Sequence, residues 1–97
     1  MQQSLTAVKD LLDGYYRRMA GRDHPVAWCS AMGPVELLRA FDYEVYFPEN
    51  HAALIGALRA QDRLMPHSAA EGFSPDICSY MLSDIGAWLA GESPLAR

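Results

Sequence analysis

Val26-Ala27-Trp28-Cys29-Ser30, then Pro34-Val35-Glu36-Leu37-Leu38-Arg39-Ala40-Phe41, then Tyr43-Glu44-Val45-Tyr46-Phe47: these three runs decide the fold class. The first is a short apolar run of the kind found in a strand buried on both faces, and a strand is expected over 26–30. The chain turns at Met32-Gly33. Pro34 then suits a first helical position, where its missing N–H would be unpaired anyway, and Glu36 favours the positive end of the dipole. A helix is expected over 34–41. Tyr43 to Phe47 reads as a second strand, stopped by Pro48. Strand, helix and strand in this order imply parallel pairing through a right-handed crossover, so the class is α/β.

Outward from that unit the chain reads as helix. Leu5, Val8, Leu12, Tyr15 and Met19 recur at spacings of three and four, which predicts an amphipathic helix over 4–20. Ser4 is placed to cap it and Gly21 to end it, while Gly14 weakens it. Arg17, Arg18, Arg22 and Asp23 form a polar connector whose charges are expected to solvate a surface. On the other side, Asn50 suits the N-cap of an Ala- and Leu-rich helix over 51–65, stopped by Pro66. A short helical piece over 67–71 ends at Gly72. Ser74 is placed to cap a further helix over 75–90, with Pro75 first, Asp76 in the first turn and Gly91 after it. Glu92-Ser93-Pro94 looks like the start of a linker, and no repeat or low-complexity tract is visible.

Ninety-seven residues allow one modest domain with a thin core. The hydrophobic share of 51% and charged share of 21% fit a chain that folds. A net charge of −4, with Lys9 the only lysine, gives no basic stripe and argues against a nucleic-acid partner. No apolar run is long enough to span a bilayer and no signal-peptide pattern is present, so a soluble, cytoplasmic protein is expected. Two parallel strands do not make an independently stable sheet. The expectation is a single, incomplete α/β domain over 1–97: the opening part of a larger domain, or a chain whose sheet a partner completes.

In open α/β sheets ligands bind beyond the carboxyl ends of the strands. Here those ends are Cys29-Ser30-Ala31-Met32-Gly33-Pro34 and Phe47-Pro48-Glu49-Asn50-His51. Both join polar groups to helix starts, as an anionic or thioester ligand would need, although Ser30 and Asn50 also read as simple helix caps. Ser30, Glu49 and His51 are the candidate catalytic residues. His51 near a helix start favours neutral imidazole, and Glu49 reads as a base or as a turn carboxylate. Cys29 and Cys78 show no CxxC or zinc spacing and read as separate thiols. In Gly72-Phe73-Ser74-Pro75-Asp76-Ile77-Cys78-Ser79-Tyr80, Cys78 falls near the first turn of a helix. Unpaired N–H groups there favour the thiolate that ligates a metal or attacks an electrophile, and a structural thiol is the competing reading.

Trp28-Cys29-Ser30, Pro34-Val35-Glu36-Leu37-Leu38, Tyr46-Phe47-Pro48-Glu49-Asn50-His51-Ala52-Ala53-Leu54 and Gly72-to-Tyr80 occur in an order that resembles one family. It is the N-terminal part of the 2-hydroxyacyl-CoA dehydratase and benzoyl-CoA reductase subunits. The resemblance covers about residues 24 to 91, and its Pro-Glu-Asn element leans toward the reductase side. It implies a helix-rich fragment of a Rossmann-like domain with about two parallel strands and four to five helices. It also implies a homologous second subunit, an ATP-dependent iron–sulfur activator protein and an acyl-CoA substrate. Low-potential single electrons would make a ketyl radical from a 2-hydroxyacyl-CoA, or enter the ring of benzoyl-CoA.

The family's ligand to its iron–sulfur (4Fe–4S) cluster carries over onto Cys78, as cofactor-binding and metal-binding residue; Cys29 matches no family ligand. A basic residue that commonly follows the Cys-Ser-Tyr motif is replaced by Met81 and Leu82. One thiolate cannot hold a cluster that needs about three or four, so the chain is expected to be a fragment or truncated product of a longer subunit, inactive alone. The alternative is a non-catalytic small α/β module that associates with a partner chain. Thiol exchange between Cys29 and Cys78 is disfavoured by their spacing.

Overall fold

A computed structural model describes residues 1–21 and 23–95; Arg22 of the polar connector lies outside them. The order is α1 (Gln2–Ala20), β1 (Val26–Trp28), α2 (Val35–Ala40), β2 (Glu44–Tyr46), α3 (Pro48–Ala57), α4 (Gln61–Ala70) and α5 (Ser79–Leu89). The strands pair in parallel with Val26 opposite Glu44, Ala27 opposite Val45 and Trp28 opposite Tyr46. Hydrogen bonds from Glu44 N–H to Pro25 O and from Cys29 N–H to Tyr46 O, both 3.0 Å, extend the pairing at each end. Both strands are shorter than expected. Val45 and Tyr46 are buried, but β1 is not buried on both faces: Val26 and Ala27 are half-buried and Trp28 is exposed. Helices α1 and α2 pack on β2, which is why the second strand carries the burial.

The core lies among the helices after the sheet. Ile55, Leu64 and Ala87 form its buried centre, with Ala60 and Ala90 against them. Helices α4 and α5 approach so closely that a Cβ on Gly86 would collide with the Leu64 carbonyl. Ser68 Oγ donates to Leu82 O at 2.6 Å across the same contact, so a small residue and a buried hydroxyl set the spacing together.

Three expected boundaries are corrected. The helix over 51–65 is instead two helices, broken at Arg59, while Pro66 sits inside α4. Arg59 takes φ 55°, its N–H bonds Gly56 O and the Ala60 N–H bonds Ile55 O, each at 3.0 Å. This is a Schellman close in which Ala60 packs back on the Ile55–Leu64–Ala87 cluster. Asn50 caps nothing, because Pro48 takes the first helical position and α3 starts ahead of it. The helix expected from 75 starts at Ser79: Ser74 Oγ accepts the Asp76 N–H at 3.2 Å, and this local turn competes with helix.

Ser4 likewise lies inside α1, whereas Gly21 closes that helix as expected, donating to Arg17 O and Arg18 O. Pro34 flanks α2 as its cap instead of opening it. The segment read as the start of a linker is packed: Ser93 is buried and Glu92 is paired with Arg63.

Candidate active site

At the carboxyl ends of the two strands, a cleft of about 210 Å³ is lined by Trp28, Ser30, Pro48, Glu49, Cys78, Tyr80 and Met81. Its walls are mostly aromatic and apolar; its polar groups are few and convergent, as in small-molecule sites. A wider depression of about 350 Å³, bordered by His24, Arg39 and Glu44, lies at the opposite ends of the strands. The carboxyl-end rule for open α/β sheets favours the smaller cleft.

Three of the four predicted site residues meet there. Ser30 Oγ donates to Glu49 Oε1 at 2.6 Å, and the Ala31 N–H reaches the same oxygen at 3.1 Å. Ser30 Oγ in turn accepts the Met32 N–H at 3.3 Å, so the β1–α2 turn is folded onto the first turn of α3. Burial pushes the Glu49 carboxyl up, but the donors from Ser30 and the backbone outweigh it and hold the group below its ordinary value of 4.5. Its second oxygen, Oε2, is buried without a hydrogen-bond partner among the described residues. Cys78 is the N-cap residue of α5, exposed and also lining the cleft.

His51 does not join them. It is buried, with Nδ1 at 2.8 Å from Asp84 Oδ1. Tyr46 OH donates to that same oxygen at 2.8 Å, and Trp28 Nε1–H donates to Asp84 Oδ2 at 2.7 Å. Burial, then the bond to Asp84 and its charge, push the Tyr46 phenol far above the usual tyrosine range. Tyr15 OH accepts the Phe47 N–H at 2.8 Å and ties the end of α1 to the same strand tip.

No family model matches the sequence. Among curated proteins, it is 33% identical over 72 residues to the (R)-phenyllactyl-CoA dehydratase alpha subunit of Clostridium sporogenes, across 74% of this chain and 18% of that protein. It is 34% identical over 77 residues to the (R)-2-hydroxyglutaryl-CoA dehydratase subunit alpha of Acidaminococcus fermentans, across 76% and 16%. The (R)-2-hydroxyisocaproyl-CoA dehydratase alpha subunit of Clostridioides difficile is 30% identical over 88 residues, across 88% and 22%. This chain is similar to 2-hydroxyacyl-CoA dehydratase alpha subunits. It spans about a fifth of the length of those relatives.

Of the two cysteines, Cys78 is exposed and Cys29 is partly buried. Cys29 donates to Ser30 O at 3.4 Å and packs against Gly33, where a Cβ would stand 2.5 Å from the sulfur. Among the described residues no group of three or more His, Cys, Asp or Glu side chains could hold a metal ion. Cys78 by itself therefore makes no complete metal site among the described residues. No helix among the described residues is long and apolar enough to cross a membrane.

Asp84 is the site residue that sequence reasoning missed. Its one signal was an acid inside the apolar run Met81-Leu82-Ser83-Asp84-Ile85-Gly86-Ala87. A carboxylate in such a run is costly unless donors converge on it.

Proposed function

We propose that this chain forms part of the alpha-type subunit of a 2-hydroxyacyl-CoA dehydratase, with Cys78 giving one thiolate to an iron–sulfur cluster beside the acyl group. The reading is carried by the cleft, which joins Cys78 to the Ser30–Glu49 pair at the strand tips. Trp28, Pro48, Tyr80 and Met81 would take the apolar part of a 2-hydroxyacyl thioester. The Ser30–Glu49 pair would face the polar end of that thioester, with Ser30 holding the carboxylate in place. Bound, a cluster of this kind supplies single electrons at low potential. Its other ligands would come from residues outside this chain, and a second subunit and an ATP-dependent activator complete the proposal. Dehydration is preferred to reduction of an aromatic acyl-CoA ring because the similar relatives carry dehydratase names.

The test is anaerobic purification of the complete subunit containing this segment, together with its partner. The expected result is bound iron with a visible charge-transfer band, and loss of both in Cys78→Ser. A Cys78→Ser subunit with its full iron content, or a wild-type complex without iron, overturns the assignment.

A further inference from the structure

One wall of the cleft is set by a carboxylate that does not line it. Asp84 is 1% exposed on α5, and both of its oxygens are taken. Oδ2 accepts the Trp28 indole N–H, while Oδ1 takes Tyr46 and His51. These partners come from β1, β2 and α3, so four elements converge on one side chain. Trp28 and Tyr46 donate to the buried acid, and His51 Nδ1 is its third polar partner.

The consequence for the cleft lies in Trp28. This residue is 42% exposed and borders the cleft together with Cys78. A half-exposed indole on a short edge strand would ordinarily exchange between rotamers. The indole N–H is a donor only, and its 2.7 Å bond to a carboxylate held from two other directions selects one ring orientation.

We infer that Asp84 is a positioning residue: it holds the Trp28 indole as a fixed, flat wall beside Cys78, so that the cleft favours planar apolar groups over small aliphatic ones. This rests on the reading of the cleft as the ligand site, but not on iron.

Cys78 provides the measurement, because its thiol is exposed inside the cleft. N-Phenylmaleimide and N-methylmaleimide are reacted in parallel with the full chain, and labelling at Cys78 is timed by peptide mass spectrometry. The phenyl-to-methyl rate ratio in folded protein is divided by the ratio in urea. It is expected to be about tenfold in the wild type, and within about twofold of unity in Asp84→Asn. The indole ¹H–¹⁵N resonance of Trp28 should move in that variant while that of Trp88 stays.

Trp28→Phe, which keeps a ring but removes the N–H, carries the test if Asp84→Asn does not fold; it too should lose the preference. A wild-type ratio near unity overturns the inference, as does a ratio that survives in Trp28→Phe. So does an Asp84→Asn chain that loses stability but keeps its ratio, since Asp84 would then be structural only. The labelling is run on iron-free protein, in which the Cys78 thiol is free to react, so the cluster assignment fails or stands separately.

Discussion

Helix α1 has the cleaner amphipathic pattern and α5 the deeper burial. Over its 19 residues α1 buries only Met19, and Leu5 and Val8 of its apolar stripe remain 64% and 62% exposed. Over 11 residues α5 buries Leu82, Ser83, Asp84, Gly86 and Ala87. Three of those five are a serine, an acid and a glycine, each a poor helix former. They are buried because each meets a specific neighbour. Gly86 admits the Leu64 carbonyl, Ser83 Oγ donates to Ser79 O at 2.7 Å, and Asp84 collects three polar partners. Apolar periodicity makes a helix plausible; close approach and polar satisfaction decide where it is packed.

The largest test of this contrast is Gly86→Ala. An added methyl forces α5 away from the α4 backbone, and a loss of about 2–3 kcal/mol is expected in urea unfolding, although alanine is the better helix former. An unchanged or raised midpoint would show that the α4–α5 contact does not govern stability.

A smaller effect is expected at the strand tips that both helices border. Glu49→Gln removes a charge-assisted acceptor of Ser30 and Ala31 and should cost about 1 kcal/mol at pH 7. Because the folded-state value is depressed, the contribution is complete above the ordinary 4.5 and disappears as pH falls through the lowered value. The wild type and the variant should therefore converge in stability in acid. A gap that persists at pH 2 would refute the carboxylate's role.

The smallest effect belongs to the exposed stripe. Leu5→Gln should change the unfolding midpoint by no more than about 0.5 kcal/mol, against a several-fold larger loss if that face were packed in the folded chain.

How far the fold could be read from the residues follows the same division. Pro48 stops the second strand and Gly72 ends the helix before it, as their turn chemistry indicates, although the helices themselves take other bounds. Gly72 and Gly91 close their helices with φ of 96° and 75°, as glycines readily do. Asp42 and Arg59 close α2 and α3 in the same way with φ of 62° and 55°, and Arg59 in particular carries no such cue. Its backbone is held left-handed by the packing of Ala60 on the core. In the site, Ser30, Glu49 and Cys78 were legible because strand ends and helix starts are local features. The removal of His51 from that set was not, because it depends on Asp84.

By itself the sequence determined the alternation of strand and helix, the parallel pair and the residues at the strand tips, since turn chemistry and periodicity act over a few positions. Tertiary structure alone decided that Asp84 would meet His51, Tyr46 and Trp28, separated from it by 33, 38 and 56 positions. No local preference encodes such a meeting. It is selected because a buried charge is tolerable only where donors from distant elements arrive together.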